Sequence, residues 1–125
     1  MRISYSGIET YIQCPQKFKF QQIDRIKTPK SKQAVFGTII HSALKFLHSN
    51  QTVIPSLEQV QEYYKNIWNK DIFNDPEEQE LYFEQGQALL KNYYEGNKLS
   101  ILRIVDLETR FKVPLENHTL TGIID

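Results

Sequence analysis

Cysteine is almost absent: Cys14 is the only one in 125 residues. That excludes an internal disulfide framework and fits a reducing compartment. Long hydrophobic runs are missing too. Nothing approaches the ~18 apolar residues of a membrane span, and the opening Met1-Arg2-Ile3-Ser4-Tyr5-Ser6 has no apolar stretch of the secretory kind. These absences lead us to expect a cytoplasmic chain with no membrane partner. Internal repeats and low-complexity segments are lacking as well. Neither charge sign is in excess, since 15 Lys and Arg balance 15 Asp and Glu. What is present is 40% hydrophobic residues with 12% aromatics, enough for a packed core and too apolar for a disordered chain. At this length the chain is one domain or part of one.

The neutral total hides an asymmetry. Residues 1–50 hold eight Lys and Arg against two acids, whereas residues 51–125 hold seven against thirteen. Asp71, Asp75, Glu77, Glu78, Glu80 and Glu84 follow one another with no Lys or Arg between 71 and 90. Near the front, Lys17, Lys19, Arg25, Lys27, Lys30 and Lys32, opposed only by Asp24, interleave with Phe18 and Phe20. Such a stretch can track a phosphate backbone. The plainer reading is a solvated helix and loop.

Local signals place the elements. Ser6-Gly7-Ile8-Glu9 reads as a capping box opening a short helix near Gly7. Pro15 suits the first turn of a second helical stretch reaching about Ile23, with Cys14 just outside. Thr28 to Ser31 reads as a loop. A third helix is expected from Thr38 to His48 with Ile40, Ala43, Leu44 and Leu47 as its buried stripe. Ser56-Leu57-Glu58-Gln59 opens a fourth, carrying Val60, Tyr64 and Trp68 at helical spacing. Asp75-Pro76-Glu77-Glu78 starts a fifth, placing acids at the positive end of the helix dipole. That helix is expected to end at Gly96 as a C′ glycine and to bury Leu89.

The pattern then changes period. Val105, Leu107, Phe111 and Val113 alternate with Asp106, Glu108, Arg110 and Lys112, and after a polar turn the alternation resumes from Thr119 to Asp125. This predicts a hairpin of residues 103–113 and 118–125. If the turn centres on Glu116-Asn117, cross-strand partners sum to 233 and Glu108 stands opposite Asp125; if it centres one residue later, the two are diagonal neighbours. Directly opposed Cβ atoms lie ~4.5–5.5 Å apart. Two carboxylates there repel unless a hard cation such as Mg²⁺ or Mn²⁺ sits between them. A loose register on a solvent face, with a lysine nearby, is the bland alternative.

His41 carries the third donor. On an apolar helix a histidine is commonly a core or helix-end residue bonded to a carbonyl. His48 is too far away to share an ion with it, ~10.5 Å along the axis, and His118 falls in the exposed turn. A strand-borne Asp125 with His41 from a separate helix is nevertheless what a divalent-metal site for phosphodiester hydrolysis needs.

Ser4-x-Ser6, Tyr11-x-x-Cys14-Pro15-x-x-Phe18, Phe36-Gly37-Thr38-x-x-His41, Glu108-x-x-Phe111 and Gly122-x-Ile124-Asp125 follow one another along the chain. Together they resemble the front of a PD-(D/E)XK nuclease domain, nearest in flavour to the RecB-like and AddB-like group. The resemblance implies an α/β fold whose hairpin begins a central mixed sheet. It implies His41 and Asp125 as metal ligands, Glu108 lining the site, and one or two Mg²⁺ or Mn²⁺ ions activating water. It further implies a DNA exonuclease of repair and recombination, in some relatives joined to a helicase. The family's Asp/Glu-x-Lys strand would come after Asp125. We therefore expect residues 1–125 to be the N-terminal part of one such domain, inactive by itself. In AddB-like relatives a cysteine at the place of Cys14 joins three distant ones around a [4Fe–4S] cluster. One thiolate cannot hold a cluster, so none is expected on this chain. A non-catalytic DNA-binding or scaffolding module with the same fold is the alternative.

Overall fold

The computed structural model describes residues 2–49, 52–97 and 104–124. Its contacts divide the chain into two units, one of Met1–Pro29 with Asp106–Asp125 and one of Lys30–Val105.

The first unit opens with a short strand, β1 (Arg2–Ser4), and passes directly into helix α1 (Tyr5–Gln13). The expected box at Ser6 is not used. Ser4 is the cap instead, extended at φ −98° and ψ 151°, and its hydroxyl accepts the Gly7 N–H at 3.1 Å. Two serines compete here, and the one bordering a strand already has the extended backbone a cap requires. Pro15 pushes Cys14 out of the helical region, ending α1 at Gln13. Cys14 then caps α2 (Pro15–Phe18), its Sγ accepting the Lys17 N–H at 3.4 Å. An edge-on contact of Tyr11 with Phe18, centroids 5.5 Å apart, joins the two helices. Lys19–Ile23 continues as a π-helical turn.

Strands β2 (Thr109–Leu115) and β3 (His118–Ile124) form the expected hairpin around Glu116-Asn117. Every pair from Leu115↔His118 to Thr109↔Ile124 sums to 233. β1 adds to β3 in parallel, from Arg2↔Thr119 to Ser4↔Thr121, so the sheet is mixed with order β1-β3-β2. The first strand begins at Thr109, and 104–108 are not strand; residue 103, where the strand was expected to start, lies outside the described residues. The Asp106 carboxylate takes the Leu107 N–H at 2.8 Å and the Thr109 hydroxyl at 2.6 Å. That local turn offers the backbone an alternative to the ladder, and it removes Val105 and Leu107 from the strand. Further along, the Phe111 ring lies across Gly122, where a Cβ would fall 2.5 Å from its Cζ.

The second unit is a three-helix assembly. Helix α3 (Lys32–His48) starts six residues earlier than expected, because Ser31 Oγ accepts the Ala34 N–H at 3.2 Å. Ile39, Ala43, Leu47 and His48 are its buried residues, while Ile40 and Leu44 are half-buried beside them. Helix α4 (Leu57–Ile67) has the full capping box, with Ser56 and Gln59 exchanging bonds of 3.3 and 2.8 Å. Helix α5 (Pro76–Asn97) begins where Asp75 Oδ1 accepts the Glu77 N–H at 3.0 Å. Gly96, near which the end was expected, lies inside it, one residue before its last residue, Asn97. Leu90 is buried and Leu89 is 51% exposed, so the inward face is one position from the expected one. Tyr64 is fully buried across Gly86, and its hydroxyl donates to the Phe83 carbonyl at 3.2 Å. Trp68 stacks on Phe73, with centroids 5.6 Å apart. A helical front followed by a mixed sheet is the architecture observed.

Candidate functional site

Strand β3 is the central strand of the sheet and the one whose sequence leads into Asp125. Asp125 itself lies outside the described residues. The register that brings Glu108 and Asp125 to the next rung is followed by the whole ladder as far as Thr109↔Ile124. Glu108, however, has φ 50°, left-handed rather than extended, and its side chain is exposed. It therefore leaves the strand geometry at the rung where direct opposition was expected. The Thr109 hydroxyl and the Leu107 N–H beside it hold the Asp106 carboxyl below its ordinary range, which keeps that turn charged and formed.

His41 occupies an exposed position in the middle of α3. Gly37, one turn earlier on the same face, is open, since a Cβ there would meet nothing within 4 Å. A glycine inside a helix costs ~0.8–1.0 kcal/mol relative to alanine, and no neighbour in the second unit requires it. His41 belongs to the Lys30–Val105 unit and Glu108 to the sheet unit, and the expected pairing of His41 with Asp125 falls outside the described residues. Imidazole and carboxylate donors are of the right chemistry for a divalent ion. Among the described residues, no three His, Cys, Asp or Glu side chains group closely enough to hold one.

Cys14 is exposed and spends its sulfur on the α2 cap. Lys17, Lys19 and Lys27 are exposed in the first unit and Lys30 is exposed at the start of the second. Arg25, which the sequence places in the basic stretch, and Arg2, which sequence reasoning missed, line a cleft of about 680 Å³ within the first unit. Arg2 sits on a three-residue strand too short for periodicity to find, and nothing in the string around Arg25 marks its left-handed backbone. His48, set aside above as too far from His41 to share an ion, is buried with its Nε2 2.8 Å from the Tyr93 hydroxyl in the second unit.

A family model described as the PD-(D/E)XK nuclease superfamily matches residues 2–125. No curated protein and no solved structure matches the chain. Nucleases of that superfamily are generally dependent on divalent metals, and DNA is the substrate its membership implies. No helix among the described residues is long and apolar enough to cross a membrane. With the match spanning residues 2–125 and a helical front followed by a mixed sheet consistent with that fold, the chain belongs to the PD-(D/E)XK nuclease superfamily.

Proposed function

We propose that the chain supplies the front of a RecB-like, Mg²⁺- or Mn²⁺-dependent deoxyribonuclease acting on DNA ends in repair or recombination. The family match over residues 2–125 carries this reading. The hairpin supports it, because its ladder carries β3 as far as Ile124, the residue before Asp125. Asp125 and His41 would hold the ion and Glu108 would line its site. When bound, the ion supplies an activated water and charge neutralisation at the phosphate. The chain's own part is to carry the Asp125 carboxylate directly after β3, which pairs with β1 over Thr119–Thr121 and with β2 up to Ile124, and to present basic residues to the DNA. Lys17, Lys19, Lys27 and Lys30 are assigned electrostatic contacts to phosphate. Cys14 is assigned no role on this chain, and a cluster or a helicase partner would need residues or chains beyond it.

The test compares the natural open reading frame containing this sequence with its Asp125→Ala variant, using end-labelled DNA with Mg²⁺ and then Mn²⁺. Metal-dependent cleavage abolished by the substitution, with DNA binding kept, is expected. Cleavage at the parent rate in the variant would overturn the assignment of Asp125. DNA binding without cleavage by the parent under either metal would favour the scaffolding module.

A further inference from the structure

The first unit contains a cleft that the nuclease reading leaves unassigned. Its volume of about 680 Å³ is bounded by β1, α1, the π-helical turn and Thr121 of β3, and falls within the ~300–1,000 Å³ of ligand pockets. The lining is of two kinds. Ile8, Tyr11, Phe18 and Ile23 form an apolar part. Of these, Ile8, Tyr11 and Ile23 are 39%, 55% and 64% exposed, an apolar surface open to solvent. Arg2 and Arg25 form a cationic part, and no acidic residue lines the cleft. Positive charge continues along the sheet. Arg2 pairs with Thr119 and Thr119 with Pro114, while Ser4 pairs with Thr121 and Thr121 with Lys112. Cross-strand partners share a face, so Arg2, Lys112 and, by alternation, Arg110 stand on the face that Thr121 presents to the cleft. Among the described residues, none of Arg2, Arg25, Arg110 and Lys112 is ion-paired.

The backbone bears a cost to place one of these arginines. Lys19–Ile23 is wound as a π turn, with the Asp24 N–H reaching back to the Lys19 carbonyl at 2.9 Å. Arg25 follows at φ 51°, and the Ile26 N–H closes onto the Phe20 carbonyl at 2.9 Å. Glycine is the residue that serves this left-handed position without strain. π turns and strained non-glycine residues concentrate where a side chain is needed for function.

We infer that the cleft docks an acidic peptide of a partner protein that ends in an apolar residue. The apolar side chain enters among Ile8, Tyr11, Phe18 and Ile23. The terminal carboxylate meets Arg2 and Arg25, and the preceding acids run along Lys112 and Arg110. Each half of the lining selects against another class of ligand. A polyanion with no apolar group leaves the isoleucines wet, and their aliphatic side chains give a nucleobase no ring to stack on. A purely apolar ligand would strip water from two guanidiniums without pairing them. A terminal carboxylate stands beside its own side chain, and Ile23 and Arg25, two residues apart, offer an apolar contact and a planar fork of donors for a carboxylate. A small amphipathic acid would use the cleft alone. Arg110 and Lys112 favour a peptide, because alternate residues of a strand lie ~6.6–6.8 Å apart, the spacing of alternate acids on an extended chain. Arginine clusters that read acidic motifs are a recurrent mode of peptide recognition. The inference is independent of the metal site and of the lysines assigned to DNA above.

The test is fluorescence anisotropy in EDTA with a fluorescein-labelled peptide, a short acidic run ending in Leu-Phe with a free carboxylate. Binding by the parent is expected and should weaken with salt. Amidating the C-terminus, or replacing Leu-Phe by Ser-Ser, should each weaken it ~10-fold or more, the loss of a charge-assisted pair or of a buried apolar side chain. Arg25→Gly removes the guanidinium and relieves the left-handed backbone. Its melting midpoint is expected to equal or exceed the parent's while affinity falls ~10-fold. Ile23→Ser, at an exposed position, should keep the midpoint and lower affinity for the Leu-Phe peptide but not for the Ser-Ser one. Arg110→Gln combined with Lys112→Gln should lower affinity severalfold and flatten its salt dependence. Lys91→Ala, in the second unit, is the control and should change nothing. A parent that binds neither peptide, or binds both alike, would overturn the inference, as would unchanged affinity in both Arg25→Gly and Ile23→Ser. An oligothymidylate that displaces the peptide more readily than unlabelled peptide does would show a nucleic-acid groove instead, and would also overturn it. With EDTA present, failure of cleavage and failure of this cleft remain separate results.

Discussion

Gly86 and Gly37 each lie inside a helix, yet alanine at the two should have opposite effects. In a helix interior Gly→Ala is worth ~0.8–1.0 kcal/mol of stability. At Gly37 nothing lies within 4 Å of the added methyl, so the full gain is expected, a rise in Tm of ~4–8 °C for a unit of this size. At Gly86 the added Cβ would stand 2.6 Å from Tyr64 Cζ. Tyr64 is 0% exposed and anchors α4 on α5 through its bond to the Phe83 carbonyl, so it has no free space to enter. Overpacking of this kind costs ~1–3 kcal/mol. Displacing the hydroxyl from its carbonyl partner adds ~1 kcal/mol. These losses exceed the helical gain, and Gly86→Ala should destabilise by about 1–3 kcal/mol.

Urea unfolding followed by the fluorescence of Trp68 measures both variants. Trp68 is the only tryptophan and it packs on Tyr64, with ring centroids 5.5 Å apart. Adding Tyr64→Phe to Gly86→Ala should restore only part of the loss, because Cζ stays while the hydroxyl goes. A Gly86→Ala midpoint at or above the parent's would refute the packing argument.

The His48 imidazole is buried beside Tyr93, and burial holds its pKa below the ordinary 6.5. The unfolded chain therefore takes up a proton first as pH falls; stability is complete above about pH 6.5 and is lost as pH drops through the lower folded value. Urea midpoints should fall in that window for the parent and much less for His48→Gln, and parallel curves would refute the assignment. Gly122→Ala should drive Phe111 off the strand pair and weaken the hairpin by ~1–3 kcal/mol, read as faster amide exchange along β2 and β3. Ser56→Ala should cost ~1 kcal/mol by removing half of the α4 capping box, and an unchanged midpoint would show that the helix starts elsewhere.

The elements that were legible in the sequence are those whose signals agree locally. Ser56 with Gln59, and Asp75 with Pro76, each combine a cap, a spacing and an apolar stripe, and α4 and α5 begin where those signals say. The hairpin was legible because the turn and the alternation on both sides of it point the same way, and of the two registers this allowed the one centred on Glu116-Asn117 is formed. Where two local signals compete, tertiary context decides. Ser4 prevails over Ser6 because β1 pairs with β3, a contact 117 positions away (Arg2↔Thr119) that no window on the sequence contains. Asp106 prevails over the strand alternation because its carboxylate finds two donors within three residues. Leu89 and Leu90 differ by one step of a helix, and only the position of α4 tells which of them turns inward.

The site is legible to a different degree, for a physical reason. A candidate metal site is marked by residue type and by the elements that carry it, so Asp125, Glu108 and His41 can be proposed from the string. Whether Glu108 stands on its rung depends on one dihedral angle, and φ 50° is not a property a glutamate advertises. Arg25 makes the same point from the other side. It reads as one more charge in a basic stretch, and only the backbone reveals that it holds a position glycine would occupy at lower cost. Gly37 is the converse, a glycine kept where alanine would fit and stabilise. If open space above Gly37 admits a substrate or a neighbouring backbone beside His41, then Gly37→Ala should raise the midpoint while lowering DNA affinity or cleavage. A variant that is both more stable and fully active would show that the open face of α3 is solvent alone.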